Sequence, residues 1–193
     1  MGVSGMMTIK KRYLIELLAI VLFLGLVATS VFVYLPINVT ISGTTIPVKF
    51  ATGSNAGGTD LGGNTISVTL GSKSMSAKVT LHPTYEYTYY EDVLRIVNDD
   101  DSNPHYIAIR VKTTISGLET AQMIIHLSSG DKIINLNSED TSEWYEISAS
   151  ESAQVDFFFK ISEDSPLPSG TILLELIYSP ESSTPSGSAP SHP

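Results

Sequence analysis

The chain has 193 residues and no cysteine, a length that one domain with short appendages fills. Without cysteine, disulfide bonds and thiolate metal sites are excluded. The formal net charge is −9, from 20 acidic and 11 basic residues. This balance predicts that the protein does not bind nucleic acid, because such binding needs clustered lysine and arginine to replace counterions.

The first 30 residues are typical of a cleaved export signal. Three basic residues at positions 10–12 precede an apolar block at residues 14–27, and small residues occupy positions 28–30. We therefore predict cleavage between Ser30 and Val31, an extracellular location, and contact with the membrane only during export. Removing three basic residues and one acidic residue from totals of 11 and 20 leaves 8 and 19, a net charge of −11.

Two alternatives for this segment stay open. With residues 31–35 added, the apolar block reaches the length of about 20 residues that a retained membrane anchor needs. The stretch YLIELLAIVLF also resembles the start of type IV pilins, in which a glutamate (here Glu16) lies in an otherwise apolar helix. Those pilins are cleaved after a small residue, whereas Lys11 and Arg12 occupy that boundary here. In every case the rest of the chain is exported.

Residues 31–43 have the period of a strand and not of a helix. Pro36 removes one donor from the ladder, and Asn38, on the polar side, begins the glycosylation sequon NVT. The other side of the strand is apolar. It must be buried in the protein's own sandwich or in another molecule, and the sequence leaves both open. This apolar side consists of Val31, Val33, Leu35, Ile37, Val39 and Ile41.

The body of the chain, residues 44–178, reads as short alternating runs separated by turn-forming stretches such as GSNAGGTDLGGN and NDDDSNP. About ten strands at this spacing predict an all-β domain, a jelly-roll-like sandwich of two sheets. The last residues, 179–193, are rich in serine and proline and are expected to be disordered. The candidate strands are 46–51, 65–70, 77–81, 87–98, 106–114, 123–127, 133–137, 144–147, 153–161 and 172–178.

The sequence contains no motif that predicts an enzyme or a cofactor site. Its four histidines, His82, His105, His126 and His192, form no HExxH pattern. His126 lies in an apolar strand and is expected to be a packed residue. No glycine-rich loop enters a helix, and no serine lies in a nucleophile-elbow motif.

An acidic run is the one candidate metal site. Asp99, Asp101 and Asn103 offer the oxygen ligands that calcium prefers. Read as an EF-hand loop, the run has Pro104 in place of the glycine and Arg110 in place of the closing glutamate. A solvated hairpin loop is therefore the favoured interpretation.

The densest aromatic stretch is PTYEYTYYEDVLRIVND. Tyr85, Tyr87 and Tyr89 are predicted to share one strand face. They are interpreted either as a sheet face with hydroxyls in water or as a contact with the next subunit.

The chain resembles the TasA/camelysin-like family of secreted matrix-fibre proteins and is most similar to the archaeal bundling-pilus subunits related to them. Three stretches within residues 46–117 carry the resemblance: VKFATGSN, SVTLG followed by AKVTLHPTYEYTYYEDVLRIVND, and PHYIAIRVKTTISG. It implies a jelly-roll domain that polymerises by donor-strand exchange, with residues 31–42 in the role of the donor. Some members carry a metalloprotease label, but no zinc motif of this chain supports that activity.

The leading hypothesis is therefore a non-enzymatic subunit of an extracellular pilus that supports biofilm or cell–cell cohesion. Its partners would be other copies of itself, joined head to tail, and neighbouring filaments. The alternatives are a membrane-anchored monomeric adhesion or binding module, a type IV pilin-like subunit that retains its helix, and a secreted hydrolase of the camelysin kind.

Overall fold

The computed structural model describes residues 13, 16–17, 46–163, 166, 170–179, 181 and 183–189. The chain divides into two compact units, residues 1–43 and 44–193. In the first unit, Tyr13, Glu16 and Leu17 are helical and exposed. Within the described residues, no helix has the length and hydropathy needed to cross a membrane. The predicted cleavage site, the donor strand and its sequon all lie outside the described residues.

The second unit consists of ten strands, as the sequence predicts, and each candidate run corresponds to one of them. The largest difference in bounds is three residues, at the starts of the sixth and seventh strands. Ser179, which the sequence assigns to the tail, ends the last strand. The strands are β1 (Val48–Thr52), β2 (Ser67–Leu70), β3 (Ser76–Leu81), β4 (Tyr87–Asn98), β5 (His105–Thr113), β6 (Thr120–Leu127), β7 (Gly130–Asn135), β8 (Tyr145–Ile147), β9 (Ser152–Lys160) and β10 (Gly170–Ser179).

The strands form two five-stranded antiparallel sheets. Sheet A has the order β1-β4-β9-β6-β7, and sheet B has the order β2-β3-β10-β5-β8. Without β1 and β2, the remaining eight strands have the order of a jelly roll, in which the chain passes repeatedly from one sheet to the other. The predicted jelly-roll sandwich is confirmed. The two additional strands extend one edge of each sheet.

The core lies between the sheets and is built from alternate residues of each strand. In β9, Ala153, Val155, Phe157 and Phe159 are buried on the inner side, and Gln154 and Phe158 lie on the outer side. The rings of Phe157 and Phe159 stack at 6.4 Å. The same alternation fills the core from β6 and β10.

A bulge divides β4 into two halves. Its register with β9 shifts between Tyr90 and Leu94, and Asp92 has a φ of 44°. Gly53 packs so closely against this bulge that a Cβ there would overlap the carbonyl of Asp92. The partner strand β1 pairs only with Leu94–Asn98. The first half of β4 therefore pairs with β9 on one side and faces the loop at residues 53–66 on the other.

Part of the tail contacts the body. The indole Nε1–H of Trp144 donates a hydrogen bond of 2.9 Å to the carbonyl of Gly187. The disorder expected for the tail stays a prediction.

Candidate assembly surfaces

The strand β7 is the free edge of sheet A, because within the described residues it pairs only with β6. Just beyond it, the amide of Leu136 donates a 2.8 Å hydrogen bond to the carbonyl of Ala121. Backbone groups alternate in direction along a strand, so the amides and carbonyls of Asp131, Ile133 and Asn135 point away from β6. The Ile133 side chain is 60% exposed. This edge therefore presents main-chain groups and an apolar side chain to a further strand.

A cleft lies between the edges of the two sheets on this side. It has a volume of about 560 Å³, and its lining includes Lys132 and Ile133 of β7 with Trp144, Tyr145 and Glu146 at β8. The Nζ of Lys132 lies 5.9 Å from the centroid of the Tyr145 ring, a cation–π contact that joins the two edges. The aromatic rings and the lysine stem give part of the cleft an apolar surface, and the rest of its lining is polar and includes Asp131, Glu143 and Thr184.

The opposite edge of sheet A is partly occupied by the chain itself. The amide of Phe50 in β1 donates a 2.7 Å hydrogen bond to the carbonyl of Ser74, which belongs to the turn between β2 and β3. The edges of sheet B are short, with four residues in β2 and three in β8. With six residues, β7 is the longest of the four edge strands.

The three tyrosines singled out in the sequence lie on one surface of the structure. Tyr85, Tyr87 and Tyr89 are 58%, 58% and 52% exposed, and Leu61, across a cleft from them, is 89% exposed. The ring of Tyr87 stacks on Phe158 of the neighbouring strand at 6.4 Å. Tyr87 and Tyr89 lie on one face of β4, whereas Tyr85 precedes that strand. The contact with a second subunit stays a prediction.

A buried carboxylate that the sequence did not single out lies beside this surface. Asp156 is 1% exposed although it lies on the outer side of β9. Its Oδ1 accepts hydrogen bonds from the backbone N–H of Asp92 (2.7 Å) and from the amide of Gln154 (2.9 Å). Its Oδ2 accepts from the hydroxyl of Tyr89 and lies 2.8 Å from Nε2 of His126. Asp156 therefore connects β4, β9 and β6.

The hydrogen bonds decide the charge of this carboxylate. Burial, the largest single effect, raises the pKa of Asp156, but the hydrogen bonds from Tyr89, Asp92, Gln154 and His126 outweigh it and the pKa is lowered. The hydrogen bond to Asp156, together with burial, raises the pKa of Tyr89 to about 12. At neutral pH, Asp156 is therefore an ionised carboxylate and Tyr89 is a neutral phenol.

His126, expected from the sequence to be a packed residue, is half-buried on the outer side of β6 and has polar neighbours. Its Nδ1 lies 2.9 Å from Oδ1 of Asp131 in β7, and its Nε2 contacts Asp156 in β9. Ionised carboxylates only accept hydrogen bonds, so both ring nitrogens donate only when the imidazole is protonated. Burial lowers the pKa of His126, but the two carboxylates outweigh burial and the pKa is raised.

The other histidines lie apart from this cluster. His105, at the start of β5, contacts Asp100 at 3.2 Å. The Nδ1 of His82, just after β3, is buried without a hydrogen-bond partner among the described residues. His192 lies outside the described residues.

The three calcium candidates do not converge. Asp99 forms an ion pair with Lys49, Asp101 accepts a 2.8 Å hydrogen bond from Ser150, and Asn103 donates to Asp100 at 3.1 Å. Asp100 organises this loop, since its Oδ1 accepts from the backbone amides of Ser102 and Asn103. Among the described residues, no group of three or more histidines and carboxylates is placed to hold a metal ion.

No protein-family model matches the sequence, and no curated protein matches it. The similarity to TasA/camelysin-like proteins therefore stays a hypothesis.

Proposed function

We propose that the protein is a structural subunit of an extracellular filament, in which the segment before β1 of one copy pairs with β7 of the next. The filament would support biofilm or cell–cell cohesion. The observation that carries the proposal is the layout of sheet A, which begins at β1, where the chain enters the domain, and ends at β7, whose outer edge has no partner strand among the described residues. The export-signal pattern of residues 1–30 supports the extracellular location.

The two participating surfaces differ, and this gives the assembly a direction. β1 and β7 are the first and last of the five strands of sheet A, four strand spacings or about 19 Å apart. A contact between two different surfaces is heterologous, so each added copy leaves one donor and one edge free. Such a contact extends into a filament when its rotation does not close a ring. Sheet A would then continue from one subunit into the next.

The chemistry of residues 31–42 fits the β7 edge. Strand addition joins the donor by main-chain hydrogen bonds, here to the outward amides and carbonyls of Asp131, Ile133 and Asn135. Because β7 has six residues, about half the length of residues 31–42, about three of the six alternating aliphatic side chains would face the cleft, against Tyr145, Trp144 and the stem of Lys132. Burying three such side chains contributes a gross gain of about 5 kcal/mol before ordering costs. The polar side, with Asn38, would face the solvent.

Two experiments test the assignment of residues 31–42 as the donor strand. Mass and N-terminal sequence of the exported protein should show a start near Val31, and a mature protein that keeps residues 13–27 would contradict the proposal. Deletion of residues 31–42 should give soluble, folded subunits without filaments in electron micrographs. Filaments formed by the deletion variant would show that another surface drives assembly.

The self-pairing alternative makes a different prediction. If residues 31–42 completed the sheet of their own chain, the deletion would lower the melting temperature of a monomer. The proposal expects the deletion variant to melt at the temperature of the depolymerised full chain.

A further inference from the structure

The cleft beside the first half of β4 is separate from the proposed donor-strand edge. It has a volume of about 400 Å³, within the usual range of ligand pockets of about 300–1,000 Å³. It exists because β1 pairs only with the second half of β4, which leaves the first half facing the loop at residues 53–66. In sheet A, β4 is three strands away from β7.

One wall of the cleft is an aromatic platform held in place by neighbouring groups. The Tyr87 ring is backed by Phe158, with an angle of 28° between the ring planes, and the Nζ of Lys160 lies 5.7 Å from its centroid. The hydroxyl of Thr88 accepts from the amide of Tyr85 (3.3 Å) and donates to its carbonyl (3.2 Å). The side chains of Tyr85 and Tyr87 remain more than half exposed. Because Phe158 holds the Tyr87 ring and Thr88 fixes the backbone of Tyr85, a ligand stacked on Tyr87 is bound with little loss of side-chain entropy.

The other wall carries polar groups held by a tight loop. The Oδ1 of Asp60 accepts hydrogen bonds from the backbone amides of Gly62 (2.9 Å) and Asn64 (2.8 Å). Within the described part of the chain, its Oδ2 has a single, long contact of 3.4 Å with the hydroxyl of Tyr90, so this oxygen has capacity for a further donor. The side chain of Asn55 is fixed by donation to the carbonyl of Glu91 at 2.7 Å. Thr59, Thr84 and Thr88 add hydroxyl groups to the lining.

The charge of the cleft narrows the chemistry of its ligand. Among the described residues that line it, the charged side chains are Asp60 and Glu91, both carboxylates. A nearby cation, the ammonium of Lys160 over the Tyr87 ring, is ion-paired with Glu119. With a whole-chain net charge of −9, these charges disfavour phosphorylated, sulfated and carboxylated ligands. Tyrosine rings next to acceptor oxygens and hydroxyls suit a ligand with apolar C–H faces and many O–H donors. Sugars combine these two features.

We infer that this cleft binds a neutral polysaccharide chain, with a sugar ring stacked on Tyr87 and Tyr85 and a hydroxyl donated to Asp60. The inference does not depend on filament assembly, since the cleft and the β7 edge involve different strands. In a filament, each subunit would offer one such site, and many weak sites along one polymer produce strong overall attachment.

The test measures binding of the full exported chain to fluorescently labelled hexasaccharides by fluorescence polarisation. The neutral probes are hexamers of glucose, mannose, galactose and N-acetylglucosamine, and the anionic probe is a hyaluronan hexamer. At least one neutral probe should bind with a dissociation constant below about 1 mM, and the hyaluronan probe should bind at least about tenfold more weakly. Failure of all four neutral probes, or equal binding of hyaluronan, overturns the inference.

Matched variants locate the site. Tyr87→Ala should weaken binding at least about tenfold, and Tyr87→Phe, which keeps the ring, should stay within about threefold of the wild type. Met75→Ala, in the turn before β3, is the control for an exposed apolar side chain elsewhere on the domain and should leave binding unchanged. If Tyr87→Ala binds the sugar as the wild type does, the site is wrongly placed. If sugar binding is absent and Tyr87→Ala abolishes filaments, the surface is a contact between copies and the inference is wrong.

Discussion

The Nε2 of His126 lies 2.8 Å from Oδ2 of Asp156, and the other ring nitrogen lies 2.9 Å from Asp131. One imidazole thus connects β6 to both of its neighbours in sheet A, including the free edge β7. Both contacts are hydrogen bonds only when the ring is protonated, since an ionised carboxylate has no proton to donate. The cohesion of this side of the sheet therefore depends on pH.

The first prediction concerns stability at mildly alkaline pH. The pKa of His126 is raised in the folded protein, so its contribution is fully present below the unfolded value of about 6.5 and is lost as the pH rises through the folded pKa. The melting temperature of the wild type should therefore fall between about pH 6 and pH 9. The melting temperature of His126→Gln should fall less over the same pH range. Parallel curves for the two proteins would contradict the assigned role.

At acid pH the carboxylate of Asp156 makes the folded protein less stable as the pH falls. The pKa of Asp156 is lowered by its hydrogen bonds, so its contribution is present above the unfolded value of about 3.9 and is lost as the pH falls through the folded pKa. Together, His126 and Asp156 make the folded protein most stable between about pH 4 and pH 6.5.

The second prediction concerns the cost of removing the buried carboxylate. Asp156→Ala leaves the backbone amide of Asp92 and the amide of Gln154 without their acceptor. Unsatisfied buried donors cost about 1–3 kcal/mol each, so the free energy of unfolding should fall by about 3 kcal/mol. Tyr89→Phe, which removes one donor and leaves the carboxylate in place, should cost about 1 kcal/mol. Urea denaturation of depolymerised protein measures both values, and equal losses would mean that Asp156 does not organise the cluster.

The third prediction concerns the edge of β7. The amide of Ile133 points away from β6, so proline at this position removes an outward donor and no internal hydrogen bond of the sheet. Ile133→Pro should therefore stop filament growth and change the melting temperature of the isolated subunit by only a few degrees. The matched variant Ile133→Ala keeps the amide and should still polymerise, more weakly because apolar contact is lost. Normal filaments from Ile133→Pro would rule out β7 as the acceptor.

The fold was predictable because alternation and turn residues reinforce each other along the chain. For β4 the predicted and observed bounds agree, since the stretch NDDDSNP ends the strand with several turn-forming residues. The bulge at Asp92 was not predicted, although the sequence contains a signal for it. Val93 and Leu94 are adjacent apolar residues that are both buried, and such a break in the period of two is typical of a bulge.

The cluster around Asp156 was beyond sequence reasoning for a different reason. Alternation assigns Asp156 correctly to the outer side of β9, where an exposed side chain is the normal expectation. Its burial comes from Tyr89 and His126, which are 67 and 30 residues away in the sequence. Only the strand order β4-β9-β6 brings the three side chains together. Likewise, the sequence identifies an alternating segment and leaves its partner open, and the free edge at β7 follows from the sheet order alone.

The most direct measurement uses the absence of native cysteine. Ile133→Cys is combined, one at a time, with a cysteine at each of residues 31–42, which samples both faces and every register of the donor segment. A disulfide forms only when the two Cβ atoms approach to about 3.5–4.5 Å. If donor strands pair with β7 of the next copy, mild oxidation of filaments will give a ladder of covalent oligomers on a non-reducing gel for at least one pair. Cross-linked monomers alone would show that the segment completes its own sheet, and no disulfide in any of the twelve pairs would show that β7 is not the acceptor.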